Sequence, residues 1–165
     1  MTLTTVQVVQ QMSPGGIETM ALDLQRFAPD PDNSFIISLQ GNKDELIRRW
    51  PRLQERADQL ICLEKTDGLS WQTIKDLAAL LKKLNADVVH THHIGPLLYG
   101  GIAARKAKVK ALVHTEHDAW HLQSAKRRLL ERGLLTLVKP SLVADAQIVA
   151  NELSDKLKER NPQII

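Results

Sequence analysis

Residues 87–116 read DVVHTHHIGPLLYGGIAARKAKVKALVHTE, and this stretch decides the fold. Two short apolar runs, Asp87–His92 and Ala111–Thr115, enclose a helical pattern over Pro96–Lys106. The two runs are nearly continuous rather than alternating, which is typical of strands that are covered on both faces. A strand, a helix and a second strand in this order predict a right-handed crossover between parallel strands.

The same alternation extends over the rest of the chain. Four further strands are predicted at Val6–Val9, Phe35–Leu39, Leu60–Leu63 and Ala146–Ala150. Helices are predicted at Gly16–Phe27, Lys43–Trp50, Trp71–Leu84, Ser124–Val138 and Asn151–Arg160, with a short helix over Arg52–Asp58. The helix at 71–84 is the clearest, with Ser70 as its N-cap and Asn85 as its C-cap. The predicted fold class is therefore α/β, a Rossmann-like parallel sheet with helices on both faces.

The composition is that of one ordinary folded domain spanning residues 1–165. With 165 residues and 43% hydrophobic content, the chain is long enough to bury a full core. The net charge is only +3 and most basic residues are interleaved with acidic ones, which argues against a nucleic-acid partner. Cys62 is the only cysteine, so no internal disulfide can form and a reducing cytoplasm fits. No apolar run approaches the roughly 18–20 residues that cross a bilayer, so we expect a soluble or peripheral protein.

A glycine turn, Ser13–Glu18, follows the first predicted strand and begins a helix. Gly15 and Gly16 let backbone N–H groups approach a ligand closely, and the start of a helix favours an anion such as phosphate. The turn has neither the Lys-Ser/Thr pair of a Walker loop nor the spacing of Gly-x-Gly-x-x-Gly. The alternative is an ordinary tight turn, in which Glu18 only offsets the helix dipole.

All six histidines lie between residues 90 and 121: His90, His92, His93, His114, His117 and His121. Three explanations compete for this cluster. A pocket that handles protons or binds hydroxyls suits imidazole near neutral pH. Alternatively, several of the rings are hydrogen-bonded fillers at the sheet edge, as we expect for His90 deep in its strand. A metal site with Glu116 or Asp118 is the least favoured explanation, because the spacing matches no tight zinc pattern.

The position of the histidines along the strands makes further predictions. His90 and His92 lie two apart on a strand and are expected to point to the same face. The ends of the fourth and fifth predicted strands are expected to bring His92 and His93 towards His114.

The adjacent pair His117-Asp118 suggests a carboxylate that orients an imidazole towards a substrate hydroxyl. Neighbouring residues need not touch, however, and Asp118 is equally well explained as a turn or N-cap residue.

Residues 120–132, WHLQSAKRRLLER, join an aromatic residue to an apolar face and a basic edge. That segment would suit contact with an anionic membrane surface or a charged acceptor, and the alternative is a solvated helix face.

Taken together, these features resemble the N-terminal domain of family 4 glycosyltransferases, retaining bacterial enzymes of the GT-B fold that use sugar nucleotides. The resemblance covers nearly the whole chain and rests on three segments. They are GGIETMALDLQRF, DVVHTHHIGPLLYGGIAARKAKVKALVHTEHD and ADAQIVANELSDKL.

The resemblance implies roles for individual residues. Gly15 and Gly16 match the turn whose amides lie near the diphosphate of the donor. His117 and Asp118 match the catalytic region that lines the acceptor and the reacting sugar. Acceptor-binding candidates are His92, His93 and Glu18, with His92 and His93 matching the histidine-rich end of the fourth strand. The family transfers sugar with retention of anomeric configuration and generally needs no bound metal and no cofactor beyond the donor.

The resemblance also implies a missing part. Members of the family continue from a segment like Asn161–Ile165 into a second Rossmann-like domain that grips the nucleotide sugar. We therefore expect that the C-terminal donor-binding domain is absent from this chain and that the isolated domain is inactive, since catalysis needs both walls of the cleft.

The leading hypothesis is the acceptor-side half of an enzyme that moves a hexose from a nucleotide diphosphate sugar to a hydroxyl of a glycan or glycolipid, as in polysaccharide biosynthesis. The main rival is a non-enzymatic Rossmann-like module that binds a nucleotide or phosphate at the same glycine turn. A receiver-like regulator is disfavoured because Val8-Val9-Gln10-Gln11 offers no acidic residues at the end of the first strand. A metal-dependent hydrolase using the histidines is a third hypothesis.

Overall fold

A computed structural model describes residues 3–157 and 162–164, and it contains a fully parallel sheet. The strands are β1 (Thr5–Gln11), β2 (Ser34–Gln40), β3 (Leu60–Cys62), β4 (Val88–His92), β5 (Ala111–Glu116), β6 (Ser141–Ala144) and β7 (Gln163–Ile164). Their order across the sheet is β3-β2-β1-β4-β5-β6-β7, and every pair of neighbours is parallel. The predicted Rossmann-like α/β class is confirmed, whereas β7 was not predicted.

The helices connect successive strands. They are α1 (Gly16–Arg26), α2 (Lys43–Arg49), α3 (Trp71–Lys83), α4 (Ile94–Pro96), α5 (Ile102–Ala107), α6 (Ala125–Val138) and α7 (Gln147–Leu157). A π-helical segment, Leu97–Gly101, joins α4 to α5, and short 3₁₀ helices lie at Pro31–Asn33, Pro51–Gln59 and Trp120–Gln123. The short helix expected over 52–58 is confirmed as the second of these. Ser70 caps α3 as predicted, since its hydroxyl accepts from the Thr73 N–H at 3.1 Å.

The sheet has apolar layers on both faces. Val8 and Val9 are adjacent in β1, yet they pack into two different core clusters. The same is true of Ile37 and Ile36 in β2. Because successive side chains of a strand point to opposite faces, this division shows that both faces are covered.

The predicted strand at Ala146–Ala150 is wrong. The sixth strand is β6, which pairs with β5, and residues 147–150 belong to α7. The apolar run that suggested a strand is instead the first turn of a helix whose buried side chains, Val149, Ala150, Leu153 and Leu157, fall at helical spacing. The helix predicted over 151–160 therefore starts at Gln147, and its residues 158–160 lie outside the described part of the chain.

The strand order creates a switch point between β1 and β4. From β1 the chain builds outward to β2 and β3, and it then returns to place β4 on the other side of β1. In open α/β sheets, ligands bind at the carboxyl ends of the strands beside such a switch point. The loop after β1 and the loop after β4 are therefore the first places to look for a site.

A buried glycine holds the helical segment after β4 close to the sheet. A Cβ at Gly100 would lie 2.8 Å from Thr91 Cγ2 and 3.3 Å from both Val8 methyl groups. These are β-branched side chains on strands, so they cannot easily move away. Gly133, in α6, is exposed and has open space around its Cα.

Alanine substitutions at these two glycines should therefore have opposite effects. Gly100→Ala should lower the free energy of unfolding by about 1–3 kcal/mol because the core is overpacked. Gly133→Ala should raise it by about 0.5–1 kcal/mol because alanine loses less backbone entropy in a helix. Urea unfolding of both variants measures the two changes. Changes in the same direction would contradict the close approach at Gly100.

Candidate functional site

The glycine turn after β1 leaves the start of α1 without a side-chain cap. The first-turn N–H groups of a helix have no intrahelical partners, and they carry the positive end of the helix dipole. Gly16 has open space beside it. A Cβ at Gly15 would lie only 2.4 Å from Glu18 Oε2, so the carboxylate of Glu18 folds back over this glycine. The turn can receive an anion, but Glu18 stands beside it and has to move aside for a phosphate.

A row of polar side chains runs from the middle of β1 to the carboxyl edge of the sheet after β6. His117 Nδ1 lies 3.0 Å from Asp145 Oδ2, and His117 Nε2 lies 3.1 Å from His92 Nδ1. His92 Nε2 is in turn 2.9 Å from Gln7 Oε1. The four side chains come from four separate segments, which the parallel register brings together.

The Asp145 carboxylate at one end of this row determines which ring nitrogens carry protons. A carboxylate only accepts, so His117 donates to Asp145 through Nδ1 and, when neutral, accepts at Nε2 from Nδ1 of His92. His92 then needs a donor at Nε2. The Gln7 side chain provides one if its amide oxygen and nitrogen are assigned the other way round, so that the amide nitrogen faces His92. Burial lowers the pKa of His117, and the hydrogen bond with Asp145 only partly offsets this effect. The row is therefore neutral apart from its carboxylate.

His92 supports the site from behind. Its side chain is only 1% exposed, so the acceptor contact predicted for it needs revision. Burial, together with the neighbouring His90 and His117, lowers the pKa of His92 to about 2. His90 bonds Thr115 Oγ1 at 2.7 Å, and burial lowers its pKa to about 3. The two rings lie 4.1 Å apart on the same face, and the filler role expected for His90 is confirmed.

A second group of polar side chains surrounds Glu116 at the end of β5. Glu116 is fully buried, and its Oε1 lies 2.7 Å from His114 Nε2. Burial raises the pKa of Glu116, but the hydrogen bond from His114 and the nearby imidazole of His93, 3.6 Å away, outweigh burial and bring the pKa to about 2. Burial lowers the pKa of His93. The carboxylates of Glu116 and Asp118 raise this pKa by more than burial lowers it, so the net shift is upward. This second group therefore holds a buried negative charge that attracts protons to the imidazoles around it.

Asp118 does not orient His117. Its Oδ1 accepts from the Trp120 N–H at 3.1 Å, so the turn-residue explanation is confirmed. The carboxylate that orients His117 is Asp145. Asp118 is 46% exposed, and its Oδ2 lies 3.8 Å from His93 Nε2, which is too long for a hydrogen bond. Asp118 and His93 therefore present polar atoms that are available to a ligand.

An open depression lies beside this pair. It has a volume of about 300 Å³, and its lining includes His117, Asp118, Trp120 and Ile148. Trp120 is 84% exposed and Ile148 is 72% exposed, so the rim of the depression is apolar. An exposed aromatic next to a carboxylate suits the apolar face and the hydroxyls of a sugar ring.

The sequence reasoning missed three residues of this edge. Asp145 was overlooked because the sixth strand was placed after it rather than before it. Glu131 was read as part of a basic surface, although its spacing to Leu134, Leu135 and Val138 puts it on the buried face of α6. Gln7 gave no signal, since a polar residue inside an apolar strand is not distinctive.

Comparison with known proteins identifies the family of the chain. A family model for Glycosyltransferase Family 4 matches residues 14–161, which is most of the chain. The chain belongs to Glycosyltransferase Family 4. No curated protein sequence matches it significantly.

Solved structures share the fold of this family 4 chain. One is the Anabaena protein Alr3699/HepE, determined in complex with UDP and glucose, with a TM-score of 0.75 and 14% identity. Another is a glycosyltransferase from Rickettsia africae ESF-5, with a TM-score of 0.67 and 19% identity. Each match covers 99% of this chain, but only 44% and 42% of the respective solved chains. The chain therefore spans less than half the length of these proteins.

The backbone of His93 is strained in this family 4 domain. Its φ of 69° and ψ of 164° fall in a region that is essentially restricted to glycine. Such conformations cost about 1–3 kcal/mol and cluster at functional sites. The strain accompanies the turn from β4 into α4, which leaves the imidazole beside Glu116 and Asp118.

A pair of variants isolates this strain, because both remove the ring. His93→Gly should be more stable than His93→Ala by roughly 1–2 kcal/mol in urea unfolding, since only glycine adopts this backbone without strain. At an ordinary helix or strand position alanine is the more stable of the two, by about 0.5–1 kcal/mol. An alanine variant as stable as the glycine variant would show that the backbone at residue 93 is unstrained.

Proposed function

We propose that this chain is the acceptor-side half of a retaining glycosyltransferase that moves a hexose from a nucleotide diphosphate sugar to a glycan or glycolipid hydroxyl. One observation carries the proposal. His93 and Asp118 present unbonded polar atoms at the carboxyl edge of the sheet, beside an open depression with an exposed tryptophan. Membership in Glycosyltransferase Family 4 gives this edge its chemical context.

The residues divide into contact and positioning roles. Asp118 accepts a hydrogen bond from a sugar hydroxyl, and Trp120 stacks on the ring. His93, whose pKa is raised by Glu116 and Asp118 against the effect of burial, donates to a hydroxyl or a phosphate oxygen. His117 uses both ring nitrogens within the protein, so it positions the loop through Asp145 and His92 rather than bonding the sugar directly.

The donor phosphate has its place at the start of α1. The uncapped first turn at Gly15 and Gly16 favours negative charge, which develops on the leaving diphosphate as the sugar is transferred. The switch point between β1 and β4 places this turn next to the loop that begins with His93. Donor phosphate and acceptor hydroxyl therefore meet along one edge.

Ligand binding tests this function. UDP and glucose are added separately to isotope-labelled protein, because the Anabaena relative was determined with these molecules. UDP should shift the amide signals of residues 15–18, and glucose should shift those of residues 117–120. Both should bind weakly, with Kd on the order of 1 mM or above, because only one wall of the cleft is present. No glucosyl transfer from UDP-glucose to a glucoside is expected from these 165 residues alone, since one wall cannot orient both substrates.

A matched pair of variants sharpens this test. Asp118→Asn should reduce the glucose-induced shifts, whereas Asp155→Asn makes the same change on the exposed surface of α7 and should leave them intact. Binding of UDP at the glycine turn without any response to glucose would favour a nucleotide-binding module instead. Glucose shifts that survive Asp118→Asn unchanged would refute the role of this carboxylate.

We propose in addition that α6 and the turn before it contact an anionic membrane. Trp120, Leu129 and Leu137 are 84%, 73% and 66% exposed, and Lys126 and Arg127 are exposed next to them. Among the described residues no helix combines the length and apolar character needed to cross a bilayer. An apolar row with basic neighbours favours the interface of a bilayer that contains anionic lipids, where a glycolipid acceptor would be found.

Vesicle sedimentation tests this contact. The chain should sediment with phosphatidylcholine vesicles that contain phosphatidylglycerol, and much less with phosphatidylcholine alone. The double variant Lys126→Glu/Arg127→Glu should lower the binding constant roughly 30-fold or more, at about 1 kcal/mol per basic residue. Lys82→Glu/Lys83→Glu, with the same charge change on the exposed end of α3, should bind like the wild type. Equal losses in the two double variants would point to net charge alone.

A further inference from the structure

Two carboxylates are buried together beneath the loop that follows β5. Glu116, on β5, and Glu131, on α6, are each 0% exposed. Glu116 Oε2 and Glu131 Oε1 have no hydrogen-bond partner among the described residues. Buried carboxylates normally have their oxygens satisfied, because removing a charge from water without a partner is costly. These two carboxylate oxygens are therefore available to a cation.

Imidazole nitrogens point into the same space. His114 Nε2 lies 2.7 Å from Glu116 Oε1. His121 Nε2 lies 2.5 Å from Glu131 Oε2 and 3.9 Å from Glu116 Oε2. Histidine nitrogens and carboxylate oxygens are both ligands that Zn²⁺ accepts in tetrahedral sites.

We propose that His114, Glu116 and Glu131 bind one Zn²⁺ ion, with His121 Nε2 as the fourth ligand. The ligand atoms of the first three residues all lie within 4.8 Å of one another. Zinc holds nitrogen and oxygen ligands at about 2.0–2.2 Å, so tetrahedral ligands lie roughly 3–4 Å apart. The three ligand atoms are therefore near the spacing that an ion requires, and His121 Nε2 lies 3.9 Å from Glu116 Oε2.

The surroundings of His114 suit a metal ligand. Its Nδ1 lies 3.1 Å from the Thr91 carbonyl oxygen and 2.9 Å from the Thr91 hydroxyl. A proton on Nδ1 donated to the carbonyl leaves the lone pair of Nε2 free for the metal, as in most histidine-zinc sites. Between the site and solvent stand His93, 30% exposed and 3.6 Å from Glu116 Oε2, and Asp118, 46% exposed and 3.7 Å from His121 Nδ1. The site thus has a supporting hydrogen bond and lies close to partly exposed side chains.

The charge of the site is compatible with a divalent cation. When both carboxylates are ionised, Zn²⁺ neutralises their two negative charges without any protonated histidine. The sequence analysis placed Glu116 in a disfavoured metal site, but it did not find Glu131, which lies on a helix well beyond the histidine cluster. The ion would join β5, the 3₁₀ turn at Trp120–Gln123 and α6, and so hold the loop that contains Asp118 against the sheet.

Metal binding to the wild-type chain is the primary test. Protein freed of metal with EDTA is titrated with ZnCl₂ by calorimetry, and the bound zinc is counted by elemental analysis. We expect one ion per chain, no competition from an excess of Mg²⁺, and X-ray absorption showing only nitrogen and oxygen ligands at about 2.0–2.2 Å, with histidine scattering. At a hundredfold excess of free Zn²⁺ over Kd, Tm should rise by roughly 5–10 °C.

Several outcomes would overturn the proposal. A chain that binds no zinc would show that protonated imidazoles balance the two carboxylates. A zinc–sulfur distance near 2.3 Å would assign the ion to Cys62 on β3, far across the sheet.

Matched variants locate the ion. Glu131→Gln keeps the shape of the side chain but removes a charged ligand, so zinc affinity should fall at least about tenfold. His117→Gln removes a histidine of the neighbouring row, which has its own partners in Asp145 and His92, and should leave zinc binding unchanged. Loss of zinc in His117→Gln but not in Glu131→Gln would refute the site. If Glu131→Gln fails to fold, the X-ray absorption of the wild type still decides the ligand set.

Discussion

The parallel pairing of β4, β5 and β6 is the constraint on which the rest of the structure depends. It brings the end of each strand to one edge, and it buries polar residues such as Thr91, His114 and Glu116 in strands that would ordinarily be apolar throughout. A buried polar atom without a partner is costly, so each of these side chains must be satisfied by another from the same edge. A shift in register of one residue would break these contacts together.

The polar edge contains two networks with opposite preferences for charge. In the first, burial lowers the pKa of His90 to about 3 and that of His92 to about 2, so both rings stay neutral behind His117. In the second, the buried Glu116 keeps its charge, with a pKa of about 2, because His114 bonds to it and the imidazoles of His93 and His121 lie nearby. The neutral rings of the first network orient their neighbours through hydrogen bonds and add no charge. The ionised Glu116 of the second network attracts positively charged groups to the loop. The loop that contains Asp118 is therefore held between a neutral support and a charged one.

Much of the fold could be predicted from the sequence, because strands covered on both faces and amphipathic helices leave clear apolar patterns. These patterns predicted a helix at 71–84 and strands ending at 92 and 115, and the structure has the helix end at 83 and the strands end at 92 and 116. The four-residue β6 did not, since a run as short as SLVA is no more apolar than the first turn of α7. Because the sixth strand was predicted too late in the chain, Asp145 was not expected at the end of a strand. The spacing of residues along the sequence also does not predict which side chains meet across neighbouring strands. The glycine turn and the histidine cluster were found, but which carboxylate meets which ring depends on rotamers and register.

Three departures from ordinary protein structure meet around this same edge. His93 occupies a backbone region typical of glycine, Glu116 and Glu131 are buried with oxygens that bond to none of the described residues, and Trp120 is 84% exposed. Each of these features reduces stability or solubility, and the apolar core elsewhere must offset the loss. Local rules are broken mainly where function requires it, so their coincidence at one edge is an argument for a site that is independent of any relative. Family membership then says what kind of chemistry such an edge serves, and the geometry says which side chains can take part in it.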